Sequence, residues 1–472
     1  MISRDELLAG PPPARPISPE DVRTARTQGA RPLIVLDDDP TGTQSVADLP
    51  VLNAWAPDDL EWALGTGAAA VYVMTNSRSL DPGAAARCNV EVVSAALEAA
   101  ERLGIEVDIV SRGDSTLRGH FPLEPDTIRM TLAEHGIGVD GVVVVPAFGD
   151  AGRITVNSVH YAGSDAAGYL PVGETEFARD ATFGYRSSDL RDWVAEKTRG
   201  RIPADQVATI TLSELRLASE SVATTLDGLS DGRPVVVDIV EEADLRALAL
   251  ALLEAQARGK RFVFRVGPPF VRAMIGQAVR EPLTAEDVAS IRPAESANGG
   301  LIVVGSHVGL TTRQLDALRE RRAPAEFEID VATVLTDARD AHLSDVIDAV
   351  SGALTRGNAV VRTSRTLVKG ADGDDSLRIA RAVSDAVVQV VRTVLDRTPP
   401  RFVIAKGGIT SSDVAARGLE IGRAIVRGPM LPGIVSLWEP ITGPARGVPY
   451  IVFAGNVGGD QSLADVADKL SD

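Results

Sequence analysis

Asp37, Asp38 and Asp39 stand together at the end of an apolar run and are followed by Pro40, Thr41, Gly42, Thr43 and Gln44. Adjacent carboxylates repel one another, so such a triplet calls for a metal, a basic group or a hydroxylated ligand to offset it. An Asp-rich turn that merely caps a helix is the plainer alternative. A second polar run, Thr75, Asn76, Ser77, Arg78 and Ser79, adds hydroxyls and one cation. The densest is Ser111, Arg112, Gly113, Asp114, Ser115, Thr116, Leu117, Arg118, Gly119, His120. Its two guanidinium groups can fork onto a carboxylate, while Asp114, Ser115 and Thr116 can engage a polyol. These residues predict a pocket for a small hydroxy acid, against the alternative of a surface salt-bridge network.

Toward the C-terminus the chemistry passes from side chains to backbone. Gly305, Ser306 and His307 form one glycine loop; Lys406, Gly407, Gly408, Ile409, Thr410 and Ser411 form another; Gly455, Asn456, Val457, Gly458 and Gly459 form a third. A glycine loop that runs from a strand into a helix turns bare N–H groups and the positive end of the helix dipole toward a phosphate. Three such loops predict a nucleotide site, where one alone would indicate only helix capping.

The elements that must carry these loops are legible. Short β-branched runs at Leu33–Leu36, Val71–Met74, Val107–Val110, Val142–Val145, Val235–Val237 and Phe262–Val266 predict strands, and a second series follows at Leu301–Val304, Ala359–Val361, Phe402–Ile404 and Tyr450–Phe453. Helical stretches lie between them at Ala84–Leu103, Glu124–Glu134, Ala243–Ala257, Thr312–Arg321, Asp375–Leu395 and Ser411–Arg417, the last closed by Gly418. The alternation predicts an α/β protein of two domains, each with a mostly parallel sheet flanked by helices. The predicted limits are an extended, proline-rich arm over residues 1–30, a first domain over 31–290 and a second over 300–472, joined by a small polar linker at Ala294–Gly300. Between Asn157 and Ser213 no period is clear, which predicts long loops with a helix or two.

Composition narrows the partners. The 472 residues carry a net charge of −17, so nucleic acid and anionic membrane are poor partners by default. Neither a bilayer-spanning apolar run nor a signal-peptide core is present, and the single Cys88 suits a reducing, cytoplasmic setting. Walker A, His-Glu-x-x-His and Gly-x-Ser-x-Gly patterns are missing, and five scattered histidines argue against a dedicated metal site.

The run Asp38, Asp39, Pro40, Thr41, Gly42 resembles the Asp-Asp-x-Thr-Gly motif of the four-carbon acid sugar kinases, and Asp114–Gly119 matches that family's Asp-Ser-Thr-Leu-Arg-Gly. Gly305–Ser306, Gly407–Thr410 and Gly455–Gly458 resemble its ATP-binding segments, so the likeness spans about residues 33–465. The resemblance implies an N-terminal substrate domain, a C-terminal nucleotide domain and ATP- and Mg2+-dependent phosphorylation of the terminal hydroxyl of a four-carbon sugar acid or its 3-oxo form. It puts Asp38, Asp39, Thr41, Arg78, Arg112, Asp114, Ser115, Thr116 and Arg118 at the substrate, with Asp39 or Asp38 as base. Ser306, Lys406, Gly407, Gly408, Ile409, Thr410, Gly455, Asn456 and Gly458 face ATP in the same reading. Ile409 replaces the Glu of the family's commonest glycine loop, and Asp37 and Pro40 stand where many members have Ala and Phe. These departures bring in a branched substrate such as 3-oxo-isoapionate. Outside the kinases, a noncatalytic sugar-acid or nucleotide sensor is the rival reading, and the sequence leaves room for a homo-oligomer.

Overall fold

The computed structural model describes residues 1–291, 297–365 and 373–471. They fall into two units: Met1–Val46 with Trp55–Val279, and Ala47–Ala54 with the chain from Arg280 onward.

In the first unit seven strands lie side by side in the order Ala70–Met74, Leu33–Asp37, Asp108–Arg112, Phe262–Val266, Gly141–Val145, Arg233–Val237 and Ala208–Ile210, all parallel. Helices such as Pro82–Leu103 and Glu242–Ala257 flank the sheet, which is why its strands read as unbroken apolar runs rather than alternating ones. Asp81 caps the first of these helices and Gly104, at φ 66°, ends it in the left-handed conformation that glycine tolerates best. The register is level: Asp37 pairs with Met74 and Arg112, and Val266 pairs with Arg112 and Val145. The polar runs after these strands therefore start from one edge.

Two expectations change here. The segment after Asn157 holds strand as well as helix: a three-stranded antiparallel sheet of Arg153–Val156, Val159–Ser164 and Gly168–Pro171 precedes the helix Leu190–Lys197. Its second and third strands are largely exposed or half-buried and contain Gly163 and Gly168, so they carry no clean period. The N-terminal thirty residues are not a free arm. Ser18 caps a helix over Pro19–Arg26, Val22 is buried, and Arg23 donates to the Gly276 carbonyl at 2.7 Å.

In the second unit the strands Ala325–Ile329, Ala359–Thr363, Leu301–Val304, Val403–Lys406 and Tyr450–Phe453 are parallel, and Ile434–Pro440, Arg423–Leu431 and Leu49–Leu52 continue the sheet antiparallel. The antiparallel margin has no counterpart in the expected parallel series; its last strand comes from residues far back in the chain. Val304, Lys406 and Phe453 end level, which sets the three glycine loops side by side. The division falls at Val279/Arg280 rather than near 290–300, because Leu283 and Val288 already belong to the second core. Of the expected linker, residues 294–296 lie outside the described residues, and Gly300 packs on the Phe402 ring. The helix expected over Ser411–Arg417 begins earlier, at Gly408, and loosens into a π turn over Val414–Gly418, where Gly418 makes room for Val391 instead of capping. Among the described residues no helix is long and apolar enough to cross a membrane.

Candidate functional site

The first unit gathers its charged residues at the carboxyl edge of its sheet, where open α/β folds bind ligands. Arg112 ends its strand opposite Asp37 and closes an ion pair on that carboxylate. Arg112 also lies 3.3 Å from Asp38 Oδ1 and donates to the Asp39 carbonyl. Its side chain is only 3% exposed, so its charge is spent inside the protein. Burial, with Asp38 and Asp39 adding repulsion, pushes the Asp37 carboxyl up to about 8 against the pull of Arg112.

A more accessible layer lies beside this pair. Arg78 donates from Nη2 to Asp38 Oδ1 at 2.6 Å and from Nε to Asp38 Oδ2 at 3.1 Å, and its Nη1 stands 3.6 Å from Asp39 Oδ2. Asp39 Oδ1 accepts from the Thr41 amide at 2.9 Å and the Thr41 hydroxyl at 2.6 Å. Burial pushes the Asp39 carboxyl up, but Arg78, Arg112 and the Thr41 bonds outweigh it and hold the group below its ordinary value. Arg118 Nε donates to Asp114 Oδ2 at 2.6 Å, which the Thr116 hydroxyl also engages. Burial works against Asp114 as a carboxylate too, yet Arg78, Arg118 and Thr116 keep it well below the ordinary range.

The structure thus brings together Asp38, Asp39, Thr41, Arg78, Arg112, Asp114, Thr116 and Arg118. Ser115 is buried and offers its carbonyl to the His160 ring. Glycines make the lattice sterically feasible: a Cβ at Gly42 would sit 2.1 Å from Asp37 Oδ2, and one at Gly113 would sit 2.5 Å from the Arg265 guanidinium carbon.

Arg265 and Glu124 belong to none of the polar runs read from the sequence. Arg265 lies within the buried strand Phe262–Val266 and donates to Ser111 at 2.9 Å and Glu124 at 2.5 Å. A lone cation amid Phe262, Val263, Phe264 and Val266 was the available signal, since a buried charge demands a partner.

In the second unit Gly305, Ser306, Gly407, Thr410 and Gly455 converge. A Cβ at Gly305 would meet Thr410 Oγ1 at 2.1 Å, and one at Gly455 would meet Ser306 Oγ at 2.5 Å. Gly407 has φ 129°, and no side chain caps the helix it opens, so the first amides of Gly408–Asp413 have no side-chain acceptor. Thr311 ties the loops, donating to Ser306 Oγ at 3.1 Å and to the Gly455 carbonyl at 2.9 Å in alternative hydroxyl orientations. Arg365, another residue without a sequence signal, donates to the Ser306 carbonyl and to Thr312. Ile409 and Asn456 are exposed, and Gly458 packs on Ser462.

Lys406 lies in the interior. Its Nζ donates to the Ala454 carbonyl at 2.7 Å and stands 3.7 Å from the Phe453 ring centre. Burial pushes this amine down to about 7. Among the described residues no group of three or more His, Cys, Asp or Glu is placed to hold a metal ion.

Residues 33–274 match the family model of a sugar-binding N-terminal domain, and residues 301–463 that of a nucleotide-binding C-terminal domain. The chain is 26% identical over 450 residues to a D-threonate kinase of Bordetella bronchiseptica, covering 92% of this chain and 96% of the relative. It is 26% identical over 326 residues to a 3-oxo-isoapionate kinase of Paraburkholderia graminis, covering 64% of this chain and 65% of the relative. Among solved structures, a Salmonella typhimurium LT2 protein superposes with a TM-score of 0.65 at 18% identity, over 92% of this chain and 98% of its own. A Haemophilus influenzae protein does so with a TM-score of 0.61 at 18% identity, over 92% and 99%. These two likenesses concern the fold.

Two outcomes test the geometry. Gly42→Ala forces a methyl group between Asp37 and Arg112 and should destabilise the protein by about 1–3 kcal/mol, read as an earlier denaturant midpoint. An unchanged midpoint would show that the pair yields freely. For Lys406, a lowered amine means that the folded protein loses this proton from about pH 7 upward, while the unfolded chain holds it to about pH 10.4. Lysine burial therefore costs most below pH 7 and is relieved as pH rises. The stability of wild type relative to Lys406→Met should climb between pH 7 and 10 in denaturant melts; a flat difference would mean that the amine stays charged inside the fold.

Proposed function

The chain belongs to the four-carbon acid sugar kinase family, and from that premise we propose that it transfers the terminal phosphoryl group of ATP to the terminal hydroxyl of a four-carbon sugar acid or its 3-oxo derivative. The observation that carries this reading is the pairing, on one chain, of a carboxylate-and-guanidinium cup in the sugar-binding unit with glycine loops and an uncapped helix start in the nucleotide-binding unit. The two kinds of named relative, D-threonate kinase and 3-oxo-isoapionate kinase, frame the substrate choice between linear and branched sugar acids.

Phosphoryl transfer asks the protein for positioning and charge stabilisation more than for covalent chemistry. In this reading Asp39 orients the attacking hydroxyl and receives its proton. Thr41 fixes Asp39 Oδ1 through two hydrogen bonds, and Arg78 stands beside Oδ2. A carboxylate held below its ordinary value is a weak base, which suits a reaction in which the proton leaves late and alignment matters more than basicity. Asp114 and Thr116 offer acceptors and a hydroxyl to the substrate's other hydroxyls, and Arg118 offers charge to its carboxylate.

The amides opening the Gly408–Asp413 helix fit a phosphate, as does the close approach of Gly305, Gly407 and Gly455. ATP would supply the phosphoryl group, and Mg2+ bound with it would neutralise the phosphate oxygens. Turnover requires the acceptor hydroxyl to reach the terminal phosphate while water is kept out.

The test is ADP release, coupled to a spectroscopic readout, with threonate, erythronate, 3-oxo-tetronates and 3-oxo-isoapionate. One of these should support turnover. Asp39→Asn should lower kcat by about 10²–10⁴-fold while nucleotide binding, followed by calorimetry, stays at the wild-type value. Full activity in this variant would remove Asp39 from the role of base. Tight sugar-acid binding by wild type with no ADP formed would favour a sensor.

A further inference from the structure

We propose that Arg153, acting with Arg118 on the ring of Phe177, forms the fork that selects the substrate by its carboxylate. This rests on the sugar-acid reading above and names the group that makes it selective. The cations around the cup differ in how they are paired. Arg112 is sealed by Asp37, Asp38 and the Asp39 carbonyl, and Arg265 is sealed by Glu124 and Ser111. Arg78 is paired with Asp38 and Asp39, and Arg118 with Asp114. Arg153 makes no ion pair among the described residues. Its Nη1 donates to the Ala151 carbonyl, and its Nε is buried without an acceptor.

Arg153 is nonetheless close to the cup. Its guanidinium carbon lies 5.7 Å from the centre of the Phe177 ring, and that of Arg118 lies 5.3 Å from the same centre. Two like charges share one aromatic platform with Asp114 as the carboxylate acting on both. Burial lowers the proton affinity of Arg153 first, Asp114 raises it, and Arg118 lowers it further. Asp114 is paired with Arg118, and a ligand carboxylate would give Arg153 the partner it lacks among the described residues. Guanidinium groups bind carboxylates in a planar fork, a geometry that ammonium cannot copy.

The platform is fixed to the cup. Arg153 opens the first strand of the antiparallel sheet, and its backbone exchanges hydrogen bonds with Phe148 at 2.8 and 3.0 Å. On the neighbouring strand, His160 donates from Nε2 to the Ser115 carbonyl at 2.8 Å while Nδ1 accepts from Thr155 at 2.9 Å. Only a neutral imidazole can do both, in agreement with burial pushing its pKa down to about 4. The Tyr185 hydroxyl donates to the Thr116 carbonyl at 2.6 Å. The sheet that carries Arg153 is thus joined at Ser115 to the loop that carries Arg118, and Tyr185, which lies beyond the sheet, holds the same loop at Thr116. The Ser115–His160–Thr155 bonds carry no exposed chemistry of their own; their effect is to hold the two guanidinium groups in register.

The experiment uses the full chain and reads discrimination rather than activity alone. Binding of a sugar acid that wild type turns over, and of its uncharged amide, is measured by calorimetry without nucleotide, beside kcat and KM for the acid. Arg153→Met should weaken binding of the acid and raise its KM by about 10–100-fold, with kcat changed little and binding of the amide unaffected. Arg153→Lys should recover part of the loss, and Phe177→Leu, which removes the platform but no charge, should raise KM less. If the preference for acid over amide survives in Arg153→Met, the proposal is overturned while the kinase reading stands. Should Arg153→Met fail to fold, an unchanged preference in both Arg153→Lys and Phe177→Leu would overturn it equally. A wild-type protein that binds no sugar acid would remove the parent reading and this one together.

Discussion

Three consecutive carboxylates at the end of one strand are the constraint that orders the substrate-binding unit. Left alone, Asp37, Asp38 and Asp39 would repel one another and resist burial. They are tolerated because Arg112 reaches across from the adjacent strand, paired with Asp37 in register, and because Arg78 closes on Asp38 from the next loop. A buried ion pair is weak evidence for stability, since desolvation consumes most of the Coulomb gain, but breaking one is costly because it strands a charge. The cluster therefore specifies geometry: remove any member and the remaining charges must move. Gly42 and Gly113 follow from the same constraint, since the guanidinium groups of Arg112 and Arg265 fill the places where their side chains would begin.

The nucleotide-binding unit meets a different demand by a different means. Among the described residues no comparable lattice of acids and arginines surrounds Gly305, Gly407 and Gly455. There the strand ends Val304, Lys406 and Phe453 stop level, the loops that follow approach closely enough to exclude a Cβ, and hydroxyls of Ser306, Thr311 and Thr410 fill the gaps. Lys406, the one basic residue in its loop, is turned inward to the Ala454 carbonyl. Among the described residues, positive character at this edge comes from peptide dipoles and from Arg365.

Much of this was legible in the sequence because parallel strands buried on both faces leave an unmistakable mark. Leu301–Val304 and Tyr450–Phe453 have the expected bounds, and Asp37, Arg78 and Arg112 follow runs whose strand character is unambiguous. What was not legible depends on long-range partners. Leu49–Leu52 pairs with the strand Arg423–Leu431, nearly four hundred residues on, a pairing no local pattern encodes. Arg153 and Phe177 meet Arg118 only after an antiparallel sheet has folded over the loop, and half-exposed strands broken by Gly163 and Gly168 carry too little periodicity to announce it. The inward turn of Lys406 was hidden for a related reason: spacing places a residue on a loop, whereas packing decides which way its side chain points.

The departures from the family pattern now acquire a physical meaning. Many members have Ala at the position of Asp37, and in this chain that carboxylate gives Arg112 a fully buried partner. With Asp38 and the Asp39 carbonyl also engaged, Arg112 is 3% exposed and cannot turn outward without abandoning all three. Arg118 and Arg153, by contrast, share the ring of Phe177. Ile409 is a milder change: it is 64% exposed, so exchanging Glu for Ile there alters charge above the loop without disturbing the packing below it. Position 37 therefore bears on a buried guanidinium and its three partners, whereas position 409 bears only on an exposed turn.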